Sequence, residues 1–197
     1  MKKKMNLPNK ITISRMIIVL IIIVLALLPE GKNFGFWKLA FDYRMLSILI
    51  LFIIGSYTDH LDGHLARKHN LVTTFGKFMD PIADKLLVNS VFIILTGMNK
   101  IHWLVTLIMV SRDIIVDVIR LIMVERGTVI AASFWGKLKT VAQMIALISV
   151  LALPVPKDHW LNLCTDVLTY IAAFISLMSG FDYFWKNKKV LLEDVLS

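Results

Sequence analysis

Cysteine is nearly absent from this chain. Cys164 is the only one in 197 residues, which rules out an intrachain disulfide and a cysteine-built metal site. Proline is scarce too, at five residues, and no low-complexity linker or internal repeat divides the sequence. One domain spanning residues 1–197 is therefore the expectation. Acidic residues are outnumbered, 14 Asp and Glu against 22 Lys and Arg, for a formal charge of +8. What the chain has in excess is apolar: 57% of residues are hydrophobic, where soluble domains hold roughly 45–50%. The mean hydropathy of +0.73 agrees with a polytopic membrane protein. In that setting the basic excess reflects orientation and attraction to anionic head groups, and no nucleic-acid partner is expected.

Six apolar stretches recur, at Met16 to Leu28, Met45 to Tyr57, Leu86 to Gly97, Ile101 to Val124, Val141 to Val155 and Trp160 to Trp185. Each extends with its flanks toward the roughly 20 residues that a membrane-spanning helix needs. The predicted fold class is an all-α integral membrane protein with six transmembrane helices. The first stretch follows three lysines as a signal peptide would, but "LLPEGKNF" offers no small-x-small cleavage site. With the N-terminus inside, the inner segments hold most of the cations, including Lys2, Lys3, Lys4, Lys10, Arg15, Arg67, Lys68, Lys77, Arg126, Lys137, Lys139, Lys186, Lys188 and Lys189. The outer segments hold Lys32, Lys38, Arg44, Lys100 and Lys157. Both termini are thus expected to face the cytoplasm, in a multi-pass protein of the cell membrane. "MNLPNKITISR" suggests a short N-terminal interfacial helix beginning near Pro8, and "PEGKNFGFWKLAFDYR" an interfacial segment rich in aromatics.

Against this apolar background, "YTDHLDGHLARKHNLVTTFGKFMDPIADKLL" concentrates four aspartates. Asp59, Asp62, Gly63 and Ala66 stand at i, i+3, i+4 and i+7, one stripe of a helix, with Arg67 one position further round. Gly76, Asp80 and Asp84 repeat the pattern at i, i+4 and i+8 on the next helix. The short connection between them makes the two helices antiparallel neighbours, gathering four carboxylates near the inner face. Arg67, Lys77 and Lys85 offer partial compensation, and a salt-bridged hairpin is the plain alternative. Intramembrane ionisable groups are functional by default, however, and carboxylate-only donors suit hard divalent ions that share their coordination with phosphates. The small residues Gly63, Ala66 and Gly76 leave room for a diphosphate. Together these features point to phosphoryl-group transfer.

The segment fits D-x2-D-G-x2-A-R-x8-G-x3-D-x3-D without a gap and so resembles the CDP-alcohol phosphotransferases, membrane enzymes that build phospholipids from a CDP-linked donor. The resemblance implies a six-helix homodimer with its site open to the cytoplasm and a divalent metal, Mg or Mn, at two ions per subunit. Asp59, Asp62 and Asp80 match metal-ligand positions, and Asp84 matches both a ligand and the proposed general base. Gly63, Ala66, Arg67 and Gly76 match positions around the CDP group. His60 and His64 depart from the aromatic or apolar residues frequent there, and interfacial side chains are the favoured reading of them.

The acceptor is read from the second half. Arg112, Lys137 and Lys139 are cations at the same cytoplasmic face and suit an anionic acceptor. Alternatively, Arg112 and Arg120 neutralise Asp113, Asp117 and Glu125 along their helix, and Lys137 and Lys139 are only inside markers. "S-R-[DE]-I" followed by "S-x2-G-K-x-K-T-x2-Q" is similar to the family branch whose acceptor is sn-glycerol 3-phosphate. That likeness implies Arg112, Lys137 and Lys139 on the acceptor phosphate, with Asn9, Thr12 and Arg15 of "LPNKITISR" near the nucleotide of CDP-diacylglycerol. A branch that uses phosphatidylglycerol as acceptor and forms cardiolipin is the alternative within the family. Outside it stands a divalent-cation transporter, which should carry carboxylates toward both faces. The last span carries no assignable motif.

Overall fold

The computed structural model describes residues 7–29, 33–36, 39–69, 74–125, 133–152 and 159–196, with side-chain surroundings for 9–29, 42–58, 79, 82–125, 133–152 and 160–188. Six helices are present among them: α1 Leu7–Leu27, α2 Tyr43–His69, α3 Thr74–Gly97, α4 Trp103–Glu125, α5 Phe134–Leu151 and α6 His159–Leu196. Each contains one of the expected apolar stretches or most of it. Asn9–Leu27, Phe134–Leu151 and Trp160–Lys188 are long and apolar enough to cross a membrane, and Tyr43–Thr58 is a shorter apolar run. The charges on α3 and α4 separate those two helices from that group. The protein is a helical membrane protein.

Two local expectations change. The N-terminal interfacial helix is not a separate element: Leu7–Leu27 is one continuous helix, because Pro8 lies in its first turn, where a missing N–H breaks nothing, and no breaker follows. The fold is also not purely helical. β1 Asn33–Phe36 and β2 Leu39–Asp42 form an antiparallel hairpin with Asn33 opposite Asp42 and Phe36 opposite Leu39. Within the Phe-rich run, residues 33–36 and 39–42 pair through their backbones.

The chain forms two compact units, Met1–Gly97 with Leu151–Lys157, and Met98–Val150 with Asp158–Ser197. In the first, α1 packs on both α2 and α3. Its buried face runs Thr12, Arg15, Val19, Ile22, a helical period that meets Met45, Ile48 and Phe52 of α2 and Ala83, Leu87, Val91 and Phe92 of α3 in one core. Gly55 of α2 faces both α1 and α3. A Cβ there would stand 2.8 Å from Leu87 Cδ2 and 3.7 Å from Ile18 Cγ2. Asp42 caps α2, its Oδ1 accepting from the Arg44 N–H at 2.8 Å, while Arg44 Nη1 donates to the Leu28 carbonyl just past α1 at 3.0 Å.

In the second unit α4 packs along α6. The two run in the same direction, since His102 meets Tyr170, Arg112 meets Ser179 and Arg120 meets Tyr183. α4 buries Val105, Met109, Asp113, Val116, Ile119 and Met123. α6 buries Thr169, Ala172, Ala173, Ser176, Ser179 and Tyr183, a stripe of mostly small residues that lets backbones approach. Hydroxyls within the helices bond their own preceding turn, as Thr58 to the Gly55 carbonyl and Thr169 to that of Asp166, which keeps them satisfied away from water.

Candidate active site

The acidic signature falls on helical backbone of the first unit. Asp59 and Asp62 share a face on the last turns of α2, and Asp80 and Asp84 share one on the opening turns of α3. The side-chain surroundings of Asp59, His60, Asp62, Gly63, His64, Ala66, Arg67, Gly76 and Asp80 lie outside the described residues. Asp84 is half-buried and has an interaction partner. The close contact of Gly55 with Leu87 is within four residues of Asp59 and three of Asp84, so the point where α2 and α3 touch is one turn from both acid stripes.

Asn9, Thr12 and Arg15 follow at i, i+3 and i+6 on α1, the helix that packs on both of the acid-bearing ones. Thr12 and Arg15 are fully buried, and none of the three is without a partner. A guanidinium wholly enclosed in so apolar a helix is expected to serve a site and not a surface.

In the second unit the motif S-x2-G-K-x-K-T-x2-Q acquires a physical account. Ser133 is the N-cap of α5, its Oγ accepting from the Gly136 N–H at 3.1 Å. The Tyr183 ring lies beside Gly136, where an added Cβ would make an ordinary van der Waals contact with its Cε2 at 3.5 Å. Lys139 Nζ donates to Asp113 Oδ1 at 2.6 Å, and Gln143 Nε2 to the Met109 sulfur at 3.2 Å. Thr140 returns its hydroxyl to the Gly136 carbonyl at 3.2 Å.

Of the three cations read as acceptor ligands, the structure brings two together. Arg112 Nη1 donates to the same Asp113 Oδ1 at 3.0 Å, and Arg112 Nη2 donates to Ser179 Oγ. Lys137 is exposed, because residues two apart on a helix point to different sides. Asp113 thus does pair with Arg112, as the neutralisation alternative had it, and the same carboxylate oxygen also receives Lys139 from α5. Two unit charges about 6 Å apart repel by about 3 kcal/mol at an effective dielectric of about 20, which is the repulsion Asp113 offsets. Arg120 bonds the Tyr183 hydroxyl at 2.7 Å and lies over its ring, 5.1 Å from the centroid. The Arg112 stem also walls an open apolar groove of about 670 Å³ between α4 and α6.

Sequence reasoning missed Ser179, Gly180 and Tyr183, for α6 carries no motif. The signal available was periodic: small and hydroxyl residues recur at helical spacing through an otherwise bulky apolar span, marking the face that receives α4.

The family model described as CDP-alcohol phosphatidyltransferase matches residues 5–180, through both units, and the chain belongs to that family. Among its relatives, a Bacillus subtilis protein is 39% identical over 187 residues, covering 94% of this chain and 97% of the relative. A Rickettsia bellii protein is 38% identical over 191 residues, covering 96% and 99%. A Haemophilus influenzae protein is 36% identical over 197 residues, covering 98% of each. All three bear the name CDP-diacylglycerol–glycerol-3-phosphate 3-phosphatidyltransferase.

Proposed function

We propose that this protein transfers the phosphatidyl group of CDP-diacylglycerol to sn-glycerol 3-phosphate, giving phosphatidylglycerophosphate and CMP. The observation that carries the choice of acceptor is the convergence of Arg112 and Lys139 on one buried carboxylate, which gathers two donors of the kind that bind a phosphate monoester. The names of near-full-length relatives support the same reading.

The chemistry of the donor set fits a hard divalent metal: four carboxylates, two on each of two helices of one unit, with no sulfur or described imidazole in the set. Asp59, Asp62, Asp80 and Asp84 would hold Mg or Mn, at two ions per subunit. When bound, such ions neutralise charge on the diphosphate as the bond to CMP breaks. Gly63, Ala66 and Gly76 leave space beside the CDP group, which Arg67, Asn9, Thr12 and Arg15 help to bind. Arg112 and Lys139, with the exposed Lys137 as an outer cation, hold the acceptor phosphate. Asp84 takes the proton from the 1-hydroxyl of the acceptor, whose oxygen attacks the phosphorus bearing diacylglycerol. A new P–O bond forms, the P–O bond to CMP breaks, and the proton is passed to water.

The wider setting belongs to the same proposal: one functional membrane domain over 1–197, six spans, a homodimer, and both termini and the site on the cytoplasmic side. Acyl chains then stay in lipid while cytidine and acceptor arrive from water. The test is CMP release by the purified chain from CDP-diacylglycerol with each acceptor alone. Release with sn-glycerol 3-phosphate is expected. Release only with phosphatidylglycerol would replace this reading by the cardiolipin-forming one.

A further inference from the structure

We infer that Asp113 is a positioning residue for the acceptor: it draws the Arg112 guanidinium and the Lys139 ammonium to one point and so fixes the spacing at which they receive a phosphate monoester. The inference rests on the proposed reading of Arg112 and Lys139 as the acceptor-phosphate ligands. Its basis is a single oxygen. Asp113 Oδ1 accepts from Arg112 Nη1 at 3.0 Å and from Lys139 Nζ at 2.6 Å, and the carboxylate is 3% exposed. The three residues come from α4 and α5, so this oxygen sets how the two helices present their cations.

The guanidinium is also fixed from the other side. Ser179 of α6 receives its Nη2, and Gly180 leaves space for its stem, since a Cβ at 180 would lie 3.1 Å from Arg112 Cγ. With Nη1 and Nη2 both engaged, Arg112 is held in one plane, while its Nε–H has no acceptor among the described residues. A planar fork held at two nitrogens, with a donor left over beside a second cation, is a seat prepared for an anionic oxygen.

Charge and position make opposite predictions here. If Asp113 merely neutralised its neighbours, replacing it by a neutral isostere would raise the local positive charge and tighten binding of a phosphate. If it positions them, the same replacement lets Arg112 and Lys139 separate, and binding weakens. The sign of one change therefore decides.

The experiment measures the KM values for sn-glycerol 3-phosphate and for CDP-diacylglycerol with purified full-length Asp113→Asn, Asp113→Glu, Arg112→Gln and Lys139→Gln. Asp113→Asn is expected to raise the acceptor KM about tenfold while the donor KM stays within about twofold. Asp113→Glu keeps the charge but displaces the carboxylate by one methylene, and it too is expected to raise the acceptor KM; it decides the matter if the Asn variant does not fold. An acceptor KM that falls or stays unchanged in Asp113→Asn overturns the inference. So does a Glu variant that matches the wild type, or a parallel change in both KM values with a lowered melting temperature. If Arg112→Gln and Lys139→Gln leave the acceptor KM unchanged, the acceptor-site reading itself fails.

Discussion

Gly55 offers a perturbation whose effect on stability and on function should differ. An added Cβ would sit 2.8 Å from Leu87 Cδ2 and 3.4 Å from its Cδ1, in a core where Leu87 is 1% exposed. Overpacking of this kind costs about 1–3 kcal/mol, and the lower end applies to alanine because a leucine methyl can turn aside. Against that, Gly→Ala within a helix gains up to about 1 kcal/mol of propensity, so the melting temperature of Gly55→Ala should hardly move. The propensity gain does nothing for the separation of α2 and α3, one turn from both acid stripes. If about 1 kcal/mol appears as displacement of those stripes, the metal concentration for half-maximal CMP release rises about fivefold, and by more in Gly55→Val. Removing the opposing methyls should reverse this: Gly55→Ala with Leu87→Ala is expected to recover metal activation that Gly55→Ala loses, a coupling read from a double-mutant cycle. Metal activation of Gly55→Val within twofold of the wild type would refute the argument that this contact sets the carboxylate spacing.

Three further outcomes are expected. Tyr183→Phe keeps the ring beneath Arg120 but removes the hydroxyl it bonds, and the stability loss in detergent should be about 1 kcal/mol, a drop of a few degrees in melting temperature. Lys137→Gln should change the acceptor KM much less than Lys139→Gln, because Lys139 is tied into the buried cluster and Lys137 is an exposed outer cation; equal effects would contradict that ranking. In a Cys164→Ser background, Lys100→Cys should be labelled from outside intact cells by a membrane-impermeant maleimide and Lys186→Cys should not, the reverse pattern excluding the proposed orientation.

The large features of this protein were legible because they follow from strong, local signals. Apolar runs fixed the position of six helices, and the spacing of Asp59, Asp62, Asp80 and Asp84 put carboxylates in stripes without any tertiary knowledge. The hairpin at 33–42 was not legible, because Phe and Gly there satisfy the composition of an interfacial segment equally well, and pairing is a non-local property. Lys137 and Lys139 looked equivalent in the motif; only the helical phase of α5, started by the Ser133 cap, separates the exposed lysine from the buried one. In the sequence Asp113 figures only in the alternative, as a group neutralised by arginines of its own helix, and its second cation, 26 residues away on α5, depends on packing that no local pattern encodes. The contribution of Ser179 and Tyr183 depends likewise on how α6 lies along α4.

The most direct test of the metal-site claim is manganese binding, followed by electron paramagnetic resonance, in the purified chain and in its Asp80→Asn variant. About two tightly bound ions are expected per wild-type chain, with weaker or lost binding in the variant and a changed signal when CDP-diacylglycerol is added to the wild type. Undiminished uptake in Asp80→Asn, or a wild-type chain that binds none with donor present, would contradict the metal-site claim.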